Sequence, residues 1–263
     1  MHEWGKANQV TFDNTKESFG IMSRTEPEGP DIKLLGIRFD MQLNMEAAVS
    51  QLHNAAMWKL RTLLKTKRYY NQREVINLYK SKVLGFIEYR TSAIYHVSLT
   101  VLQQIDSVQN KLLSNTGISR EEALLEFKLA PLSSRRDIAM LAIIHRNVIG
   151  MGPGQFDKYF VANDSSRGSK RLNERRHNKQ LISLRTGNYL EMFKKSLCGA
   201  IDIYNLLPQY VVEASTVSIF QHRLQELLKT QIACTTSDWE VLYSPRNTIW
   251  NNHLKRLYDY EGK

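Results

Sequence analysis

The chain has little cysteine, no long apolar run and no adjacent aspartates, and each shortage excludes a class of protein. Two cysteines, Cys198 and Cys234, among 263 residues can build neither a disulfide framework nor, unaided, a four-ligand zinc site. The longest apolar clusters, such as Ile138 to Ile144, fall far short of the roughly 20 residues of a membrane span. Residues 1–20 carry Glu3, Asp13 and Glu17 without an apolar stretch, so no signal peptide is expected. The expectation is an intracellular protein, cytoplasmic or nuclear, in a reducing compartment and without a membrane partner.

Metal chemistry is scarce as well. The ten aspartates are scattered, and the seven histidines show no His-x-x-x-His spacing, so neither a two-metal phosphoryl-transfer centre nor zinc ligation is expected. Glu121 and Glu122 are adjacent, but on a helix they point in different directions and suit a cap. Gly150 to Gly154 has the glycines of a phosphate cradle without its Gly-Lys-Ser/Thr ending, and a helix stop explains it. His145 lies on an apolar stretch and reads as a satisfied core histidine, Cys198 as inert packing.

What the chain does have is positive charge, with a formal net of +10. Ser165 to Lys195 holds nine basic and two acidic residues, among them Arg171, Arg175, Arg176, Lys179 and Arg185. A second run has Lys59, Arg61, Lys65, Lys67, Arg68 and Arg73 with no acid, and Tyr69 and Tyr70 lie inside it. Clustered cations release counterions from a phosphate backbone and tyrosines offer a stacking face, so polynucleotide is the natural partner. A solvated helix face is the alternative for each run taken singly.

The apolar pattern divides the chain. Up to residue 40, Val10, Phe12 and Ile32 to Phe39 form short pieces separated by the turn-rich Glu26 to Pro30. They predict two short strands around a polar connection, with Leu34, Leu35, Ile37 and Phe39 supplying apolar contact. From residue 41 the period becomes helical: Val49, Leu52, Ala56, Leu60, Leu63 and Leu64 make one stripe, and Val75, Tyr79, Val83, Phe86 and Ile87 a second. Ser98 is a candidate cap for a third helix through Val101, Ile105, Val108 and Leu112, stopped by Gly117. Ser119 and Glu122 have capping-box spacing. Pro131 breaks the chain, Ser133 or Ser134 restarts it, and Ile138 to Ile149 is apolar nearly all round, which predicts a helix at the centre of a bundle. Residues 155–190 are polar and basic and read as a flexible arm. Within 191–263, Ser215 begins an amphipathic helix with Val217, Phe220, Leu224, Leu227 and Leu228 on one face, and Trp239, Trp250 and Tyr258 could fold back. The expected fold class is mainly α, a helical bundle with a small N-terminal β piece.

Four stretches, in order, resemble the C-terminal part of a non-LTR (LINE-type) retrotransposon reverse transcriptase. Trp4, Asn8, Phe12 and Lys16 resemble a late palm segment, and Lys33 to Asp40 the strand that ends the palm. Leu78 to Val83 with Ile87 to Arg90 resembles the thumb helix. Phe193 to Ser196, Tyr204-Asn205-Leu206-Leu207-Pro208 and Phe220 to Leu224 resemble the region after the thumb, with tyrosine in place of tryptophan at 204. The resemblance implies an end-of-palm segment over 1–40, a thumb-like bundle over 41–154, a basic arm over 155–190 and a connection region over 191–263. The family activity is RNA-directed DNA synthesis with two magnesium ions, yet the fingers and the palm strand bearing the Asp pair have no counterpart in this sequence.

The resemblance therefore implies a fragment that binds RNA or a template–primer duplex and is inactive by itself, with magnesium belonging only to the complete polymerase. Lys16 falls where the family places a palm lysine near the leaving pyrophosphate. Leu35 and Gly36 would belong to the primer-grip turn. Lys59, Arg61, Lys65, Lys67, Arg68 and Arg73 would touch duplex phosphates from the thumb, and Arg171, Arg175, Arg176, Lys179 and Arg185 would extend that grip. Tyr204, Asn205, Leu207 and Pro208 read as a structural turn. Two alternatives stand beside it: a split polymerase subunit completed by a separate palm and fingers chain, and a helical scaffold that docks a protein partner through Val10 to Phe39.

Overall fold

The computed structural model describes residues 2–11, 13, 17, 19–163, 177–184, 190–234, 238–246 and 254. The chain divides into two compact units, residues 1–51 and 52–263. The division falls inside a helix, α2 below, whose first residues count with the first unit.

The first unit opens with helix α1 (His2–Ala7) and holds strands β1 (Ile32–Leu34) and β2 (Ile37–Phe39). The strands pair antiparallel, Ile32 opposite Phe39 and Leu34 opposite Ile37. The piece at Ile32–Phe39 is thus a two-stranded hairpin rather than one strand, Val10 is in no strand, residues 2–7 before it are helical, and Phe12 lies outside the described residues. At the two-residue turn, Leu35 has φ +50° and Gly36 φ +78°. Positive φ at both central residues is the pattern that lets a tight turn follow the right-handed twist of its strands. Glycine takes it at no cost, whereas leucine is strained there. Leu34 and Leu35 are exposed, so they do not supply the apolar contact expected of them. After β2, the Asp40 carboxylate accepts from the Asn44 and Met45 amides at 2.9 and 2.5 Å and so turns the chain.

The second unit is a helical bundle. Helix α2 (Glu46–Lys65) reaches into it, with Leu52, Ala56 and Leu60 buried. After the short 3-10 turn Lys67–Tyr69 comes α3 (Gln72–Tyr79), opened by a capping box between Asn71 and Glu74. The helix then widens into a π turn over Lys80–Leu84 and continues as α4 (Gly85–Glu88). The widened turn keeps Val83, Leu84 and Ile87 buried while leaving Phe86 only half-buried. Helices α5 (Thr91–Ile94), α6 (Leu99–Thr116) and α7 (Arg120–Leu125) follow. Gly117 closes α6 with φ +70°, and Ser119 with Glu122 forms the capping box of α7. Ser98 stands at the N-cap of α6 but its side chain makes no cap hydrogen bond.

Helix α8 (Leu132–Val148) is the centre of the bundle, packed against α5, α6 and the later helices α10 (Leu197–Tyr204) and α12 (Val217–Ala233). It starts directly after Pro131, earlier than the serines suggested. Ser134 does not cap it; its hydroxyl donates to the Glu240 carbonyl at 2.7 Å and so ties down the 3-10 turn Trp239–Val241. Between α8 and α12 come α9 (Leu190–Lys194), α10 and α11 (Gln209–Val212). Thr216 rather than Ser215 caps α12, accepting from the Ile219 amide at 3.2 Å. Trp239 is buried, whereas Trp250 and Tyr258 lie outside the described residues.

Within 155–190, where a flexible arm is expected, a few described residues are anchored in the bundle, and residues 164–176 and 185–189 lie outside the described residues. Phe160, His177 and Leu181 are buried, and Ala162 bridges Leu181 as an isolated antiparallel pair. Asn205 acts as a strand partner for Leu181, accepting from its amide and donating to its carbonyl, both at 2.8 Å. His177 donates from Nε2 to the Tyr204 carbonyl at 3.0 Å and accepts at Nδ1 from the Lys179 amide at 3.1 Å. His145 is the core histidine its surroundings predicted. Its Nε2 donates to the Ala214 carbonyl at 3.0 Å, so Nδ1 accepts from the Tyr204 hydroxyl at 3.1 Å. Its ring stacks on Phe220, centroids 4.1 Å apart. Among the described residues no helix is long and apolar enough to cross a membrane.

Candidate nucleic-acid interface

The six cations of the first basic run sit on the end of α2, the turn after it and the first residues of α3, and all but Lys59 are exposed. No acidic residue occurs from Ala48 through Arg73, and Glu74, the first to follow, is spent on the Asn71 capping box at 2.8 and 2.9 Å. Every residue from Lys65 to Glu74 is exposed.

Within that surface the cations divide by what already holds them. Lys59 is half-buried and lies 5.0 Å from the centre of the Phe86 ring, whose other neighbour is Arg90 at 4.3 Å. Lys67 donates from Nζ to the Asn115 carbonyl in the last turn of α6, where a cation suits the negative end of the helix dipole. Arg68 lies over the Tyr69 ring at 4.7 Å and donates to its hydroxyl at 2.6 Å, and Arg73 faces Phe127 at 5.9 Å. Arg61 and Lys65 are exposed and make no hydrogen bond or ion pair with the described residues. These two present their full charge to solvent.

Sequence reasoning missed Trp58. It is 68% exposed, a large indole left in water on the same helix as Arg61 and Lys65. The signal was available: Trp58, Arg61 and Lys65 are three and four residues apart, which is one helix face. Tyr69 and Tyr70 are 68% and 44% exposed, Tyr69 with Arg68 over its ring.

The other expected residues fall into three groups. Lys179 turns inward and donates to the Val212 carbonyl at the end of α11, at 3.0 Å. Leu35 and Gly36 form the hairpin tip of the first unit. Lys16, Arg171, Arg175, Arg176 and Arg185 lie outside the described residues.

A groove of about 470 Å³ runs beside α6 and the start of α8, and its charges are consumed within the protein. Arg136 makes a two-pronged contact with Asp106 at 2.6 and 2.9 Å. Arg120 pairs with Glu240 at 2.8 and 2.9 Å. A second buried polar group lies deeper: the Asp137 carboxylate accepts from the Tyr95 hydroxyl at 2.7 Å, and burial pushes its pKa up to about 7 against the pull of that bond and of Arg136 and Arg246. Burial likewise holds His145 down at about 4 and lowers His177. Burial is the largest cause of each of these shifts. Among the described residues no three of His, Cys, Asp and Glu converge to hold a metal ion. Comparison with known proteins finds no matching family model, no similar curated protein and no similar solved structure.

Proposed function

We propose that this chain binds RNA or an RNA–DNA template–primer duplex through phosphate contacts, as the C-terminal part of a non-LTR retrotransposon reverse transcriptase that contributes grip rather than catalysis. The observation that carries the binding is the acid-free, solvent-exposed stretch from Arg61 to Arg73, in which Arg61 and Lys65 have no partner among the described residues. Unpaired, exposed cations at a helix end suit a polyanion whose shape, not sequence, is read. The narrower assignment rests on the ordered resemblance of Trp4 to Lys16, Lys33 to Asp40, Leu78 to Arg90 and Tyr204 to Pro208. The two magnesium ions of a complete polymerase find no carboxylate cluster among the described residues, and the proposed role does not involve them. In a split arrangement, a separate palm and fingers chain would supply them.

The test is fluorescence anisotropy with a labelled RNA–DNA hybrid across a salt series. Log affinity should fall linearly with log salt. Each lost contact in Arg61→Ala/Lys65→Ala/Arg68→Ala should flatten that slope by about 0.9. Binding that ignores salt, or no binding at about 50 mM salt, would remove the proposal.

The first unit favours a second reading, a scaffold that docks a protein partner. Trp4, Phe19, Ile21, Leu34 and Leu35 are all exposed there, and exposed large apolar side chains are what a protein partner covers. Concentration-dependent self-association that RNA leaves unchanged would support it.

A further inference from the structure

We infer that the solvent face of α2 is a stacking platform for unpaired bases, so that the strand held by Arg61 and Lys65 is single-stranded at that point. The inference rests on the proposed polynucleotide binding and adds which form of polynucleotide this face receives.

The argument starts from which residues the helix leaves outside. With Leu52, Ala56 and Leu60 buried, the exposed stripe from position 54 onward is Asn54, Trp58, Arg61, Thr62 and Lys65. Trp58 is the only large apolar side chain on that stripe. A protein partner would need a cluster of apolar anchors within a much larger patch; one indole ringed by amide, hydroxyl and cations does not provide it. The indole is also not a misplaced core residue, since the opposite face of the helix is already filled. A flat π-surface beside two unpaired cations is what an unpaired nucleotide recognises: base on ring, phosphate on cation.

The spacing agrees. At 1.5 Å per residue, Arg61 and Lys65 lie about 4.5 and about 10.5 Å along the axis from Trp58. A stacked strand advances about 3.4 Å per nucleotide, so a base lying on Trp58 sets the phosphates of the next one to three nucleotides beside the two cations. A duplex offers no equivalent, because its base faces are already stacked on one another and only phosphates and groove edges reach the surface. Within this stretch the neighbours do not compete: Thr62 spends its hydroxyl on the Trp58 carbonyl at 3.1 Å, and no acidic side chain occurs from Ala48 to Arg73.

The experiment measures the full chain's affinity for a labelled, unstructured single-stranded RNA and for a labelled RNA–DNA hybrid. It compares wild type, Trp58→Ala, Trp58→Phe and Arg61→Ala/Lys65→Ala. Trp58→Ala should weaken single-strand binding by roughly 5- to 150-fold, the range for one stacked base, while leaving the salt slope and the hybrid affinity unchanged. Trp58→Phe should restore most of the loss, and Arg61→Ala/Lys65→Ala should flatten the salt slope on both probes. Equal losses on both probes, no loss on the single strand, or a Phe variant no better than Ala would overturn the platform while leaving phosphate binding intact. Wild type that binds neither probe would overturn both.

Discussion

Two polar regions of the second unit are built on opposite terms. Around Tyr204, His145, His177 and Asn205 are turned inward, and each donor meets an acceptor between 2.8 and 3.1 Å. From Arg61 to Arg73 the polar groups are turned outward, and two of the cations meet nothing. In the first region the fold has consumed the chemistry: a ring nitrogen that donates to Ala214 is not free to act on anything else. In the second the fold has left it unspent. The lesson is that the buried ionisable groups here are already paired within the fold, whereas the unpartnered ones lie on its outward face.

Breaking the inward region should have the largest effect. His145→Ala strips the Tyr204 hydroxyl and the Ala214 carbonyl of their buried partners and removes the ring stacked on Phe220. We expect a loss of about 3–5 kcal/mol, and Tyr204→Phe should cost about 1–2 kcal/mol because only one bond goes. Urea denaturation checks both. A loss below about 1 kcal/mol for His145→Ala would mean that the cluster relaxes or admits water, and that it is less closed than its geometry shows.

Acidity separates the buried groups by sign. His145 has its folded pKa lowered from 6.5 to about 4, and His177 is lowered too. Their stability is present above pH 6.5 and is lost as pH falls toward 4, because the unfolded chain binds the protons first. Asp137 runs the other way: with its pKa raised from 3.8 to about 7, its contribution is full below pH 3.8 and is lost as pH rises through 7. The groups facing it are Tyr95, Arg136, Arg246 and Asp106. Between pH 4 and 6.5 the two slopes oppose, each on the order of 1.4 kcal/mol per pH unit per group, so the wild-type profile should be shallow. Asp137→Asn removes one side. Its stability relative to wild type should rise from pH 4 to 7 and then level off, as denaturation at pH 4.5, 6 and 8 would record. A difference that does not vary with pH would show Asp137 ionised throughout, held by its two arginines.

Much of the bundle was legible because its causes are local. The stripe from Val49 to Leu60, the Gly117 stop and the Ser119–Glu122 box each lie within a few turns of one another, and each appears where the sequence places it. The π turn at Lys80–Leu84 escaped because a single widened turn barely alters a three-and-four periodicity. The docking of His177 and Leu181 escaped for a different reason: its partners Tyr204 and Asn205 lie far along the chain, and a polar, basic segment looks loose until they are in place. The candidate surface was half legible. Charge counting found Lys59 to Arg73, but it could not tell a cation held by a distant carbonyl from one left free, and it passed over Trp58 because an isolated aromatic in a helix reads as core.

That distinction among cations gives the smallest and sharpest contrast. Lys67 and Lys179 donate to carbonyls at the ends of α6 and α11, so each contributes to holding a helix end, and alanine at either should cost about 0.5–1 kcal/mol. Arg61 and Lys65 hold nothing within the protein. Arg61→Ala/Lys65→Ala should leave stability within about 0.5 kcal/mol of wild type, and could raise it slightly by relieving repulsion within an acid-free stretch. The same double variant should bear most heavily on polynucleotide affinity. Charges that cost the fold nothing to lose are available to the polynucleotide proposed above. If thermal denaturation instead showed the Arg61/Lys65 variant to be as damaged as Lys67→Ala, the outward charges would be part of the architecture after all, and the contrast between the two regions would collapse.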